Sequence, residues 1–179
     1  MLILPLSNEG GDFGMSIHEA LTDGSPKAGL LNYLESIALL ERLHRLLLDV
    51  VKDEFERLGV LEINSVQALL LFNIGENEVT AGELKSRGYY QGSNVSYNLK
   101  KLVELGYMHH QRSDIDRRSV RVRLTEKGRK IRIMLNELFV RHADGLDKRG
   151  LINRTAMDEI TTSLKRMERF WTEQIRYIY

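Results

Sequence analysis

Apolar side chains recur every three or four positions across residues 30–58, with no proline and no internal glycine, and predict a long helix closed by Gly59. The apolar positions fall into two rows. One holds Tyr33, Ile37, Leu40, Leu47 and Val51, with His44 in the same row; the other holds Leu39, Leu43, Leu46 and Val50. A helix on a monomer surface needs one apolar stripe. Two stripes predict burial on two sides, one against the chain's own domain and one against a second subunit. His44 reads as an interior histidine rather than a ligand.

A shorter helix is expected over residues 65–74, capped by Asn64, apolar almost all round and ended by Gly75. Thr80-Ala81-Gly82-Glu83 has the spacing of a capping box and starts a short helix before a turn at Gly88. The next helix runs to about Leu105, with Val95, Leu99, Leu102 and Val103 facing inward. Its other face carries Ser93, Asn94, Tyr97, Lys100, Lys101 and Glu104. Ser, Asn and Tyr are poor choices for a merely solvated helix face, which invites a functional reason. After Gly106, residues 107–112 and 119–124 read as two strands around a turn. Val120, Val122 and Leu124 alternate with Arg121 and Arg123, the period of a half-buried strand. Thr125 caps a long helix to about Leu146, with Gly128 and Gly145 as weak points. A loop is expected over 144–153. A last helix from Thr155 to about Tyr177 carries the stripe Ile160, Leu164, Met167, Phe170, Trp171, Ile175 and Ile178. Residues 1–27, with Pro5, Gly10, Gly11, Gly14, Gly24 and Pro26, show no periodicity and read as a flexible arm, either a disordered tail or a segment that packs on a partner.

Net charge over 179 residues is only +1. Its distribution says more: residues 92–132 hold eleven Lys or Arg against four acids, and the remainder is acidic on balance. That segregation on a helix–turn–helix segment points to an anionic partner. Cysteine is absent, which excludes disulfides and thiol chemistry. His109 and His110 are adjacent and point to opposite faces of a strand, so no metal site or cofactor is expected. No stretch has the roughly 18–20 apolar residues of a membrane span, and the short apolar run at the N-terminus lacks the basic lead of a signal peptide. A cytoplasmic protein is expected. No phosphate-binding glycine loop, zinc-protease helix or nucleophile elbow is present, and an enzyme is not expected.

Several motifs together resemble the MarR family of winged helix-turn-helix transcription regulators. They are Ser93-Asn94-Val95-Ser96-Tyr97-Asn98-Leu99, Leu102-Val103-Glu104-Leu105-Gly106-Tyr107, the turn Asp114-Ile115-Asp116-Arg117-Arg118-Ser119-Val120, and Leu124-Thr125-Glu126-Lys127-Gly128. Within that family the chain also looks like the LdtR-type regulators of Alphaproteobacteria, linked to cell-wall remodelling. The resemblance implies a mainly α fold with a small antiparallel β-wing. Residues 61–124 would be the winged helix-turn-helix DNA-binding domain, and 28–60 with 125–179 a helical dimerisation region. It implies a homodimer on an inverted-repeat operator of double-stranded DNA, with no membrane partner.

On that view Ser93, Asn94, Tyr97 and Lys101 enter the major groove, and Ser96, Asn98 and Lys100 flank it toward phosphates. Arg118 enters the minor groove, oriented by Asp116, with Arg117 beside it. Arg112, Arg121, Arg123, Lys127 and Arg129 neutralise phosphates. A small-molecule effector is implied between the helical region and the winged domain, where Tyr33, His44, Arg45 and Phe72 are pocket candidates or ordinary core. The alternative function is a winged-helix protein-interaction module that does not read DNA sequence.

Overall fold

The computed structural model describes residues 26–76, 78–80, 83–84, 92–112 and 120–178. Among these, helices α1 (Pro26–Arg57), α2 (Ser65–Ile74), α3 (Gly92–Glu104), α4 (Glu126–Lys148) and α5 (Arg154–Ile178) accompany strands β1 (Val79–Thr80), β2 (Met108–Arg112) and β3 (Val120–Leu124). The fold is mainly α with one small antiparallel sheet, ordered β1-β3-β2. The β2–β3 ladder pairs Met108 with Leu124, His110 with Val122 and Arg112 with Val120. The two-residue strand β1 pairs Val79 with Val122 and adds a third strand to the expected hairpin.

Local chemistry sets the helix ends. Pro26 opens α1, where its missing N–H and restricted φ suit the first turn. Gly59, at φ 73°, ends the run by letting Val60 N–H donate back to the Phe55 carbonyl at 2.8 Å. Asn64 and Gln67 form a reciprocal box at the start of α2: Gln67 N–H donates to Asn64 Oδ1 at 2.9 Å, and Asn64 N–H donates to Gln67 Oε1 at 3.1 Å. The expected Thr80–Glu83 box is also present, Glu83 N–H donating to Thr80 Oγ1 at 3.1 Å while Glu83 accepts from Thr80 N–H. Two boundaries differ from expectation. Helix α4 ends at Lys148, two residues beyond the expected end near Leu146 and inside the span read as a loop, and the Asp144–Lys148 pair at 3.4 Å supports its last turn. Helix α5 starts at Arg154, one residue before the expected Thr155, with Asn153 as its cap accepting from Ala156 N–H at 2.9 Å.

A boundary at Val50/Val51, inside α1, divides the chain into two units. In the first, both apolar rows of α1 face solvent: Tyr33 and Leu47 of one and Leu39, Leu43 and Leu46 of the other are exposed, and only Ile37, Leu40 and Val50 are half-buried. The second unit holds a continuous core. Val51 and Phe55 from the end of α1 are buried, as are Leu70, Leu71 and Ile74 of α2, Leu99 and Leu102 of α3, Val122 and Leu124 of β3, and Ile131, Leu135 and Leu138 of α4. Each fully buried leucine contributes about 1.5–3 kcal/mol by leaving water. Phe72 meets Phe139 edge-on, with ring centroids 5.2 Å apart.

One charged cluster joins the end of α1 to α4. Glu54 accepts from Arg57 Nε at 2.9 Å and Nη2 at 2.8 Å, and also from Arg141. The Arg57 hydrogen bond, opposed by burial and reinforced by Arg141, lowers the Glu54 carboxyl to about 2. Helix α5 is amphipathic, and its stripe is open: Ile160, Leu164, Phe170, Trp171 and Ile175 are all exposed in the single chain. No helix among the described residues is long and apolar enough to cross a membrane.

Candidate nucleic-acid interface

Helix α3 presents two chemically different faces. Leu99 and Leu102 are buried, while Ser96, Tyr97, Lys100, Lys101 and Glu104 are exposed. Tyr97 is 68% exposed despite its size, so its ring has no place in this chain's core. Lys100 and Lys101 lie 4.0 and 3.9 Å from the Glu104 carboxylate, ordinary pairs on an open helix face. Such exposed pairs contribute about 0–1 kcal/mol and are easily exchanged for another anion.

The sheet turns a second cationic face to solvent. Arg121 and Arg123 on β3 are exposed, together with His109 and Gln111, their partners on β2. Arg121 lies 3.7 Å from Glu78, and both side chains are substantially open. Arg129, at the start of α4, donates to Glu126 Oε2 from Nε at 3.2 Å and Nη2 at 3.1 Å, and from Nη1 to the Leu124 carbonyl at 3.4 Å. Its guanidinium is therefore shared with its own helix start. Residues Asp116, Arg117 and Arg118 lie outside the described residues, as do the side chains of Ser93, Asn94 and Arg112.

Two sequence expectations need correction. Asn98 was placed at the phosphate flank, yet it is only 9% exposed, and its Oδ1 accepts from Gln67 Nε2 at 3.2 Å across a buried contact. It lies on the same side of α3 as Leu99 and Leu102 and serves the interior. Lys127 was placed on a phosphate. Its ammonium instead donates to Glu62 at 3.0 Å and to the Leu105 carbonyl at 3.1 Å, and sits 4.2 Å from the Tyr107 ring centroid. Glu62 raises the Lys127 pKa, and Lys127 lowers that of Glu62. Lys127 is a clamp on the C-terminal end of α3, where a cation suits the exposed carbonyls.

The surrounding residues complete that corner. Thr125 caps α4 by accepting from Gly128 N–H at 3.1 Å, and its hydroxyl donates to the Gly106 carbonyl at 2.8 Å. Thr125 N–H donates to the Tyr107 carbonyl at 3.1 Å. A Cβ on Gly128 would lie 2.2 Å from that same Tyr107 oxygen, so the glycine permits α4 to close onto the strand entrance. Sequence reasoning missed Gln67, Glu62 and the role of Gly128. The Asn64-x-x-Gln67 spacing was the one available signal for Gln67; the other two depend on partners distant in sequence. Of the proposed effector residues, Phe72 is engaged with Phe139, and His44 and Arg45 are exposed on α1.

Comparisons with known proteins point to the same fold. Residues 63–128 match the model of a winged helix DNA-binding domain. The exopolysaccharide II synthesis transcriptional activator ExpG of Rhizobium meliloti (strain 1021) is 36% identical over 148 residues, covering 83% of this chain and 76% of that protein. A MarR transcriptional regulator from Methanosarcina mazei Go1 superposes with a TM-score of 0.60 at 26% identity, over 78% of this chain and 98% of the other. Streptococcus pneumoniae FabT, solved in complex with DNA, gives a TM-score of 0.60 at 21% identity, over 79% of this chain and 99% of that one. At that identity the likeness concerns the fold alone.

Proposed function

Because the chain belongs to the MarR family of winged helix transcription regulators, and is a regulator rather than an enzyme, we propose that it reads double-stranded DNA through the exposed face of α3. The supporting observation is the division of α3 itself. Its apolar side and Asn98 are locked inside, while Tyr97, Ser96, Lys100 and Lys101 project from the opposite side and are exposed. A tyrosine and a serine can reach base edges, and the two lysines can exchange Glu104 for phosphate. Arg121 and Arg123 supply further phosphate contacts, and Arg129 a weaker one. Asp116, Arg117 and Arg118 remain the proposed minor-groove element on sequence grounds, with Ser93, Asn94 and Arg112 completing the groove and phosphate contacts.

The reading includes a homodimer formed by the helical regions 28–60 and 125–179. Support comes from the open apolar faces of α1 and α5, which are unusual for a monomer surface. A two-fold dimer would place two α3 helices in successive major grooves, about 34 Å apart, on an inverted-repeat operator. A small-molecule effector would act by changing that spacing.

The test uses a duplex selected by the wild-type protein from a randomised pool, with a random-sequence duplex of equal length as reference. Tyr97→Ala should lower affinity for the selected duplex while leaving binding to the random duplex nearly unchanged. A Tyr97→Ala protein that still discriminates between the two as the wild type does would refute reading through α3 and favour the protein-interaction alternative.

A further inference from the structure

Among the described residues, side-chain anchors hold α3 from its inner side, and two of them lead back to the turn that opens α2. Lys127 links the Leu105 carbonyl, just past the C-terminal end of α3, to Glu62. In the body of the helix, Asn98 Oδ1 accepts from Gln67 Nε2 at 3.2 Å. Gln67 is itself held at both its backbone and its side chain by the Asn64 box. We propose that Gln67 is a positioning residue for DNA reading, setting the roll of α3 about its own axis through Asn98. The inference rests on α3 being the reading helix.

The physical reason is directionality. Leu99 and Leu102 bury α3 against the core, but apolar packing carries no hydrogen-bond direction of its own to set the roll. The Lys127 contact lies at one end of the helix and constrains the axis more than the roll. A hydrogen bond between two buried amides has distance and angle requirements, and breaking it leaves a desolvated donor. A helix with its side chains has a radius of about 5–6 Å, so a roll of about 20° displaces a side-chain tip by roughly 2 Å. That exceeds what a base-edge hydrogen bond tolerates. Tyr97 precedes Asn98 directly, so the angle at which its ring leaves the protein follows from the Asn98 position. Phosphate contacts by long lysines tolerate the same displacement, because the ammonium can swing to follow.

The inference therefore predicts a loss of discrimination with little loss of general affinity. The readout is the ratio of the dissociation constants for the random and wild-type-selected duplexes. Asn98→Ala, which removes the acceptor, should reduce that ratio about tenfold. Affinity for the random duplex at low salt should stay within about threefold. Asn98→Asp keeps an oxygen facing Gln67 Nε2 and should hold the ratio within about threefold of wild type. If Asn98→Ala does not fold, the comparison moves to Asn98→Asp with and without Gln67→Met, since methionine keeps the length of the Gln67 side chain and removes its donor. A lower ratio in the double variant supports the proposal, and an equal ratio overturns it. A folded Asn98→Ala protein with the wild-type ratio also overturns it, provided Tyr97→Ala has lost discrimination. If Tyr97→Ala keeps its discrimination, the assignment of α3 as the reading helix fails instead.

Discussion

Gly128 and Gly145 both lie inside α4, and the same substitution at each should change stability in opposite directions. In an exposed helix interior, Gly→Ala stabilises by about 0.5–1 kcal/mol, because alanine restricts the unfolded chain and favours the helix. Gly145 meets that condition: an added Cβ finds nothing within 4 Å. Gly128 does not. Its added Cβ would lie 2.2 Å from the Tyr107 carbonyl oxygen and 3.3 Å from Leu124 Cδ2. Either α4 or the strand entrance must move by nearly an ångström. That oxygen accepts from Thr125 N–H at 3.1 Å, and Thr125 is also the cap of α4, so the displacement strains the cap as well.

Overpacking of this kind costs about 1–3 kcal/mol, a disturbed backbone hydrogen bond about 1 kcal/mol, and a weakened cap about 1 kcal/mol. Set against the helix-propensity gain, Gly128→Ala should be less stable by roughly 2–4 kcal/mol. For a chain of this size that is a fall in Tm of roughly 5–15 °C. Gly145→Ala should be unchanged or a few degrees higher. Urea and thermal unfolding followed by circular dichroism at one fixed protein concentration compare the two, since concentration shifts the Tm of any oligomer. A Gly128→Ala protein as stable as Gly145→Ala would show that the close approach of α4 to Tyr107 is not required.

Three other outcomes follow from the same structure. Lys127→Ala should lower Tm while leaving the salt dependence of DNA binding as in wild type, whereas Arg123→Ala should reduce the slope of log K against log salt by about one; anisotropy titrations across a salt series separate the two. Glu54 has a depressed folded pKa, so its stabilisation is present above its ordinary value of 4.5 and is lost as pH falls toward about 2. Glu54→Gln should lower stability by about 1–2 kcal/mol at pH 7, a discounted figure because Arg57 and Arg141 remain 63% and 51% exposed, and should flatten the acid limb between pH 4.5 and 2 in urea melts. Leu164→Glu on the open stripe of α5 should shift the proposed dimer toward monomer in sedimentation velocity, and an unchanged oligomeric state would refute a subunit contact on this stripe.

Most of the fold was legible because its signals are local. The long helices announce themselves by period, Gly59 and Gly75 by position, and the Thr80–Glu83 and Thr125 caps by residue type. Strand β1 was missed because two residues cannot display a period. The last turn of α4, to Lys148, overlaps the span read as a loop because a single glycine at 145 weakens a helix without ending it; the left-handed glycine is Gly150, at φ 65°. Site chemistry was harder to read. Asn98 and Lys127 have the residue types of phosphate contacts and fall on the expected motif. Only the partners Gln67, 31 residues away, and Glu62, 65 residues away, show that both are engaged within the protein, Asn98 in the interior and Lys127 along the surface. A polar residue beside two core leucines is ambiguous in sequence, because an amide can be buried when another amide meets it.

Such contacts give the Leu124-Thr125-Glu126-Lys127-Gly128 segment a mechanical meaning. Leu124 is buried and pairs across the sheet with Met108. Thr125 joins the start of α4 to the Gly106 and Tyr107 carbonyls. Lys127 reaches from α4 to the Leu105 carbonyl and to Glu62, and Gly128 removes the side chain that would hold α4 away from Tyr107. Four of five consecutive residues thus tie α4 to the junction between α3 and β2. A helix joined at its first turn to the end of α3 cannot tilt there without carrying α3 along, because the contacts are short, directional and mutually dependent. At its other side, α4 is tied through Arg141 to Glu54 near the end of α1. A displacement of α4 would therefore reach α3 through residues 124–128. If α3 reads DNA as proposed, such a displacement would change how the protein meets DNA with nothing bound at α3 itself.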